Sequence, residues 1–314
     1  MRTKKIIQFS LFLLGMLAIS LTGCKKNTSS STQTNANTSS IQNQSSDESK
    51  VDQAYDEANN DINNALNGPG ALKSTESIPC NANLDSVKIN NDTIMYYITY
   101  HGLNCNGHLV RYGRVEIKKH VNTYWYQAGT SIICTYINYR VWHVLHPEKA
   151  ITINGRRTYT NVTGGLLFML GQYMDSIKHT EEGYMNITFE DSTHRTWWFN
   201  RHIMFTRVNQ MLVLQTSGFG AADGYDNLVK WGVNRNGEQF YDQILQPNVF
   251  KQHCDWDPCA GQRKIMIPGA NKSATITWGY DDNNQPVTGD NCPTKYKVDY
   301  TINGNSGTIY LFLP

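Results

Sequence analysis

The sequence predicts an all-β, antiparallel fold, a sandwich or an open curved sheet, with a short N-terminal helix. Three observations predict it. Short runs of alternating apolar and polar residues recur from about residue 86 to the C-terminus. Four Asn-Gly pairs (Asn106-Gly107, Asn154-Gly155, Asn236-Gly237 and Asn303-Gly304) sit among these runs, and Asn-Gly is the preferred chemistry of tight hairpin turns. No long amphipathic segments separate the runs, which disfavours the crossovers that parallel strands need. The 18 Tyr and 7 Trp fit the same reading, since aromatic rings pack well on a pleated surface.

The chain opens with Arg2, Lys4 and Lys5, an apolar stretch over residues 6–21, and Leu21-Thr22-Gly23-Cys24. This is the order of a secretory signal ending in a lipobox, so residues 1–23 are expected to be cleaved and Cys24 to be acylated. The apolar stretch falls short of the roughly 20 residues of a bilayer span. Each acyl methylene (palmitate-type chains) contributes about 0.8 kcal/mol on burial, so several chains make membrane lipid the first expected partner. Residues 24–46 read as a disordered linker, because nineteen of residues 25–50 are Ser, Thr, Asn or Gln and supply no core.

Residues 47–69 read as the helix. Val51, Tyr55, Ala58, Ile62 and Leu66 share one face, Asp47 and Glu48 favour the N-terminus, and Gly68-Pro69-Gly70 stops it. Its apolar face is expected to pack on the β-domain. Residues 70–314 form that domain, with a break near 208–230. Strands are expected at 93–100, 110–118, 131–141, 150–159, 184–189, 196–206, 239–244, 263–267, 274–279, 295–302 and 308–313. Residues 164–170 form a continuous apolar run that fits a buried strand or one helical turn.

The formal charge of +2 gives no electrostatic footprint for nucleic acid. Six cysteines follow Cys24: Cys80, Cys105, Cys134, Cys254, Cys259 and Cys292. An even number in an exported chain indicates disulfides, with fifteen connectivities open. His253-Cys254 and Cys259 hint at zinc but lack the tight paired spacing of zinc sites, so neither metal nor cofactor is expected.

The sequence holds no Gly-x-Ser-x-Gly nucleophile elbow, and export favours oxidised rather than nucleophilic thiols. His143 and His146, three apart, would share one face of a helix but point to opposite faces of the strand suggested by Tyr136 to Val141. Glu181-Glu182, Glu190-Asp191 and Asp255/Asp257 are carboxylate pairs of the kind a glycosidase uses. Asp281-Asp282-Asn283-Asn284 with Asp290-Asn291 offers oxygen ligands for calcium, but reads first as turn chemistry. Tyr124-Trp125-Tyr126 and Trp197-Trp198 are the densest aromatic clusters. Alternation along a strand exposes one side of each, a platform for a glycan or an envelope protein. Finally, Ser86, Thr93, Ser176 and Ser192 follow Asp in triplets of Asp, Ser or Thr, and an apolar residue or Thr. These are candidate O-glycosylation positions.

The segment Ile98-Thr99-Tyr100-His101-Gly102, followed by Cys105-Asn106-Gly107, Arg111, Gly113 and Val115-Glu116-Ile117, resembles the opening of a group of uncharacterised Bacteroidota cell-envelope lipoproteins. Arg235-Asn236-Gly237, Cys254-Asp255-Trp256, Gly261, Ile276-Thr277-Trp278-Gly279 and Gly289-Asp290-Asn291-Cys292 resemble the same group. The resemblance implies a β-architecture and an envelope location, without an activity. It also implies pairing of Cys80 with Cys105 and of Cys254 with Cys292, leaving Cys134 and Cys259 as a third bridge or two buried thiols. Those two cysteines and the insert around 208–230 depart from the group's pattern. Lys25 and Lys26 stand where surface-exported members carry acids, so the outer-membrane face is left undecided. The expectation is a lipid-anchored, non-enzymatic envelope lipoprotein that binds glycan or protein or acts structurally. The alternative is an envelope hydrolase with paired carboxylates.

Overall fold

The computed structural model describes residues 31–66, 79–254 and 256–313, with side chains from Asn43 onward. The expected signal segment, Cys24, Gly68-Pro69-Gly70 and Asp255 lie outside the described residues. Among the described residues, one α-helix, α1 (Ser31–Leu66), precedes fifteen strands. These are β1 (Ala82–Lys88), β2 (Thr93–Leu103), β3 (Leu109–His120), β4 (Thr130–His143), β5 (Ile151–Asn161), β6 (Ser176–Thr188), β7 (His194–Val208) and β8 (Met211–Gly218). They continue with β9 (Gly220–Ala222), β10 (Tyr225–Val233), β11 (Gln239–Lys251), β12 (Pro258–Ile267), β13 (Lys272–Tyr280), β14 (Lys295–Ile302) and β15 (Asn305–Phe312). All belong to one antiparallel sheet that follows the chain from β1 to β7 and from β10 to β15, and that ends at β1 and β15. The expected all-β class therefore takes the form of a single open sheet.

The break expected near 208–230 is instead a splice. β10 pairs with β7 at Lys230↔Phe199, while β8 pairs with the later half of β7, from Arg201↔Gly218 to Val208↔Met211. β11 repeats the division, joining β10 through Val233↔Gln239 and β8 through Lys251↔Val213. Thus β8 and β10 share one slot between β7 and β11, and the sheet runs on without interruption. β1, β8, β9 and β10 were not legible as strands in the sequence.

Three of the four Asn-Gly pairs lie in turns between strands. Asn154-Gly155 does not: it lies inside β5, where a Cβ on Gly155 would sit 2.4 Å from the Tyr184 carbonyl oxygen on β6. Asn154 Oδ1 instead accepts the Asn138 N–H at 2.8 Å, closing a bulge in β4 where Asn138 takes φ 48. Bulges and glycines of this kind bend a sheet. Residues 164–170 form a loop with a 3-10 turn at Leu167–Met169.

α1 lies on the inner face of the bend. Val51, Ala54, Tyr55, Ala58, Ile62, Ala65 and Leu66 are buried against inward residues of β2–β7. Fully burying one larger apolar side chain stabilises by about 1.5–3 kcal/mol. The helix begins at Ser31, not at Asp47 as the composition of residues 24–46 implied. Polar composition bars a segment from building its own core, but not from docking on another. Gln44 and Ser45 are buried, and both carboxylate oxygens of Asp47 accept from Arg235 at 2.6 Å. Once the docked part is helical, extending it by further turns costs little.

The acids flanking the apolar stripe of α1 meet inward basic side chains on the sheet. Asp61 pairs with Arg111 at 2.5 Å, Asp52 with Lys230 at 2.9 Å, Glu48 with Arg263 at 2.9 Å, and Asp56 with Arg201. Burial pushes the Asp56 carboxyl up to about 6 and that of Asp61 up to about 7, outweighing the guanidinium beside each. A second, smaller apolar cluster (Ile265, Ala274, Ile276, Val298, Ile302) lies on β12–β14.

Cys80 is bonded to Cys105 and Cys254 to Cys292. Cys134 on β4 and Cys259 on β12 are buried free thiols, and burial pushes both upward in pKa.

Candidate ligand-binding cleft

The outer face of the bend carries a row of side chains set by strand register. On β7 the alternation turns Trp197, Phe199, Arg201 and Ile203 inward and leaves Trp198, Asn200 and His202 outward. Trp198 lies directly opposite Tyr184 of β6 and, on its other side, opposite Trp231 of β10. Tyr184 in turn lies opposite Arg156 of β5. Ring centroids of Tyr184 and Trp198 are 5.4 Å apart, and those of Trp198 and Trp231 are 6.5 Å apart with planes within 13°. One residue pair along the strands runs a second, polar row: Thr158 opposite Glu182, and Glu182 opposite Asn200.

The splice supplies the wall of this site. Phe219 packs against His202 with ring centroids 4.5 Å apart, and a Cβ on Gly220 would come within 2.5 Å of the Trp231 ring. Only a glycine lets the chain lie that close to the indole. Tyr225 packs against Tyr241 with ring centroids 4.5 Å apart, which keeps the same segment on the sheet. The result is an open cleft of about 420 Å³ lined by both rows. Among the described residues, the side chains of Arg156, Thr158, Glu182 and Asn200 make no hydrogen bond or ion pair with one another or with other groups. The cleft thus offers flat apolar rings beside unsatisfied donors and acceptors. That combination can hold a ligand with apolar faces and a hydroxylated rim.

The structure separates the aromatic residues singled out in the sequence. Trp125 and Trp197 are buried, so neither presents a ring to a ligand: Trp125 packs on Tyr159 at 5.1 Å, and Trp197 Nε1 donates to the Val233 carbonyl at 2.9 Å. Tyr124-Trp125-Tyr126 lies in the loop between β3 and β4 rather than in a strand, with Tyr124 and Tyr126 exposed and stacked at 5.4 Å. Trp198 alone of the five belongs to the cleft. Its partners Tyr184, Trp231 and Arg156 escaped sequence reading because register decides which residues stand beside Trp198.

Asp255 of the third carboxylate pair lies outside the described residues, and neither Glu181-Glu182 nor Glu190-Asp191 places two acids in the outer cleft. Glu181 points inward to Arg157 and Arg201, while Glu182 points outward into the cleft, where it is the one lining acid. Glu190 and Asp191 both meet Arg235, at 3.0 and 3.4 Å. The Asp281 carboxylate accepts the Asn283 and Gln285 N–H groups at 2.9 and 2.8 Å, and Lys295 Nζ donates to Asn284 Oδ1 at 3.1 Å, so this loop is a self-capped turn. His143 and His146 sit where β4 ends, with rings 5.9 Å apart. His253 lies beside Cys254 and Cys292 rather than beside Cys259, and those two sulfurs are bonded to each other. Ser86 and Ser192 are exposed, whereas Thr93 and Ser176 are half-buried at strand starts.

No helix among the described residues is long and apolar enough to cross a membrane. Comparisons of the chain with protein-family models, curated proteins and solved structures find no match.

Proposed function

We propose that this chain is a lipid-anchored lipoprotein of the cell envelope, held through acylated Cys24, and that it binds glycan in the outer cleft without chemical turnover. The observation that carries the reading is the row Tyr184–Trp198–Trp231 on three adjacent strands, flanked by the unpaired polar row Thr158–Glu182–Asn200. Adjacent strands lie about 4.8 Å apart, so Arg156 to Trp231 spans about 14 Å, the scale of a short oligosaccharide rather than a single ring. Pyranose faces stack on the indoles and the phenol, and hydroxyls bond to the polar row. A single lining carboxylate favours binding over glycosidic hydrolysis, which uses two. The basic start, the apolar stretch and Gly23-Cys24 support the anchor, and the bonded cysteines suit an oxidising compartment.

The test is an envelope-glycan array probed with the chain from Lys25 onward, which retains every described element. Binding weakened by up to about tenfold in Trp198→Ala and in Trp231→Ala, in chains that still fold, supports the reading. Binding indifferent to both substitutions, or release of reducing ends from a bound glycan, overturns it.

A further inference from the structure

The hairpins β1–β2, β3–β4, β5–β6 and β7–β8 all turn at the same end of the strands, because each joins an odd strand to the next even one. Their tips carry exposed apolar and aromatic side chains: Ile89, Tyr124, Tyr126, Phe168, Tyr173 and Met211. Phe168 and Tyr173 are 66% and 74% exposed, values unusual for rings of this size. The tips form one ledge. Val121 N–H donates to the Asp92 carbonyl at 2.9 Å, which ties the first hairpin to the second, and Gly165 N–H donates to the Tyr126 carbonyl at 2.8 Å, which ties the second to the third. Asn161 Nδ2 clamps the Trp125 and Gly165 carbonyls at 2.8 and 3.1 Å.

We infer that this ledge is a membrane-interface surface, which seats the domain on an anionic lipid surface. Three features select lipid among possible occupants. First, several backbone donors of the tips are met within the tips themselves, as a segment entering a lipid interface requires. Ile89 N–H goes to the Thr93 carbonyl, Gln127 N–H to the Tyr124 carbonyl and Tyr173 N–H to the Met169 carbonyl, at 2.9, 3.0 and 2.9 Å. Second, tyrosines supply ring bodies for the acyl boundary and hydroxyls for the headgroups. Third, cations stand just behind the tips. Lys118 and Lys178 are exposed, and Lys119 and Arg207 fold onto loop carbonyls. Asp92 and Asp175 are the acids of these four tips, and the β11–β12 and β13–β14 turns at the same end add Asp257, Asp281, Asp282 and Asp290. Of these, Asp281 caps its own turn, Asp282 accepts from Thr294 Oγ1 at 2.6 Å and Asp290 is matched by Lys251 at 3.8 Å. Basic residues near the surface are attracted to anionic headgroups. The ledge is separate from the outer cleft and does not depend on glycan binding.

The experiment is flotation of the chain from Lys25 onward, which lacks both the apolar leader and the acylated cysteine. It is run with vesicles of phosphatidylcholine alone or with about a third phosphatidylglycerol, alongside sedimentation without lipid. The chain is expected to float with the anionic vesicles. Tyr124→Ser/Phe168→Ser/Tyr173→Ser is expected to weaken partition more than about tenfold. Lys118→Glu/Lys178→Glu leaves the tips intact and is expected to weaken it more than about fivefold. Failure of the unaltered chain to float, or equal flotation of both variants, overturns the inference. So does a dimer that the triple substitution dissolves while flotation is unaffected, since a second copy of the chain then covers the ledge.

Discussion

Arg201 Nε donates to Glu181 Oε2 at 2.7 Å across β6 and β7, and the other side of the same guanidinium meets Asp56 on α1. Arg157 Nη1 donates to the same Glu181 oxygen at 3.1 Å, and Asn59 Nδ2 on the helix donates to Oε1 at 2.6 Å. Glu181, 1% exposed, is therefore the hinge between sheet and helix: two guanidinium groups and one helical amide converge on it.

Glu181→Gln removes the one negative charge shared by Arg157 and Arg201. Breaking a buried pair from one side costs about 3–5 kcal/mol, because the remaining charge stays desolvated. Urea denaturation should show a loss of that size. An unchanged midpoint would mean that water reaches these arginines in the folded chain.

The outer cleft separates binding from stability. Trp198 is half-exposed, so Trp198→Ala should shift stability by less than about 1 kcal/mol. Loss of its stacking should weaken glycan binding by up to about tenfold. Trp125→Ala should do the reverse, destabilising by about 3–5 kcal/mol while leaving the affinity of the folded fraction intact. Calorimetric melts beside titrations of one bound glycan compare the two.

His179 supplies an acid-sensitive element. Its Nδ1 lies 2.6 Å from the Tyr159 hydroxyl, and its ring packs against Trp125 and Phe205. Burial pushes it down from 6.5 to about 4, with the Glu181 carboxylate acting in the opposite sense. The unfolded chain therefore takes up a proton near pH 6.5 that the folded chain refuses until about pH 4. Stability from this group is complete above pH 6.5 and falls as pH drops toward 4, by about 3 kcal/mol in all. Denaturation midpoints for the unaltered chain and His179→Gln, taken from pH 7.5 to 4.5, should converge as the pH falls.

The two disulfides close loops with sequence separations of 25 and 38. In the chain-entropy treatment they stabilise by about 3.5 and about 4 kcal/mol. Reduction should lower the urea midpoint accordingly, and non-reducing peptide mapping should recover Cys80–Cys105 and Cys254–Cys292. Cys134 and Cys259 should resist thiol reagents until the chain unfolds, since both are buried and burial disfavours their thiolates.

Much of this protein was legible locally. Alternation located most strands, and it placed Trp197 and Trp198 on opposite faces without any partner in view. The apolar stripe from Val51 to Leu66 announced a helix with one buried side. Asn-Gly chemistry marked three turns. It misled at Asn154-Gly155, where the glycine answers to a neighbouring carbonyl and the asparagine to a bulge one strand away. The tract before Asp47 looked incapable of order because composition counts what a segment can bury by itself. The inner face of the sheet buries Gln44 and Ser45 at the end of that tract, which composition alone does not reveal.

What only the tertiary structure decided follows from register and charge pairing, both of which act across long sequence distances. β6 extends back to Ser176 through residues that look too polar for a half-buried strand, because His179 and Glu181 find partners on α1 and adjacent strands. Lys230 and Asp52, 178 residues apart, meet only after helix and sheet have docked. Trp198 became part of a cleft when register set Tyr184 and Trp231 beside it and the splice laid Gly220 against its neighbour. Turn chemistry and alternation reside in a few consecutive residues, whereas a side chain's neighbours across a sheet depend on the whole chain between them.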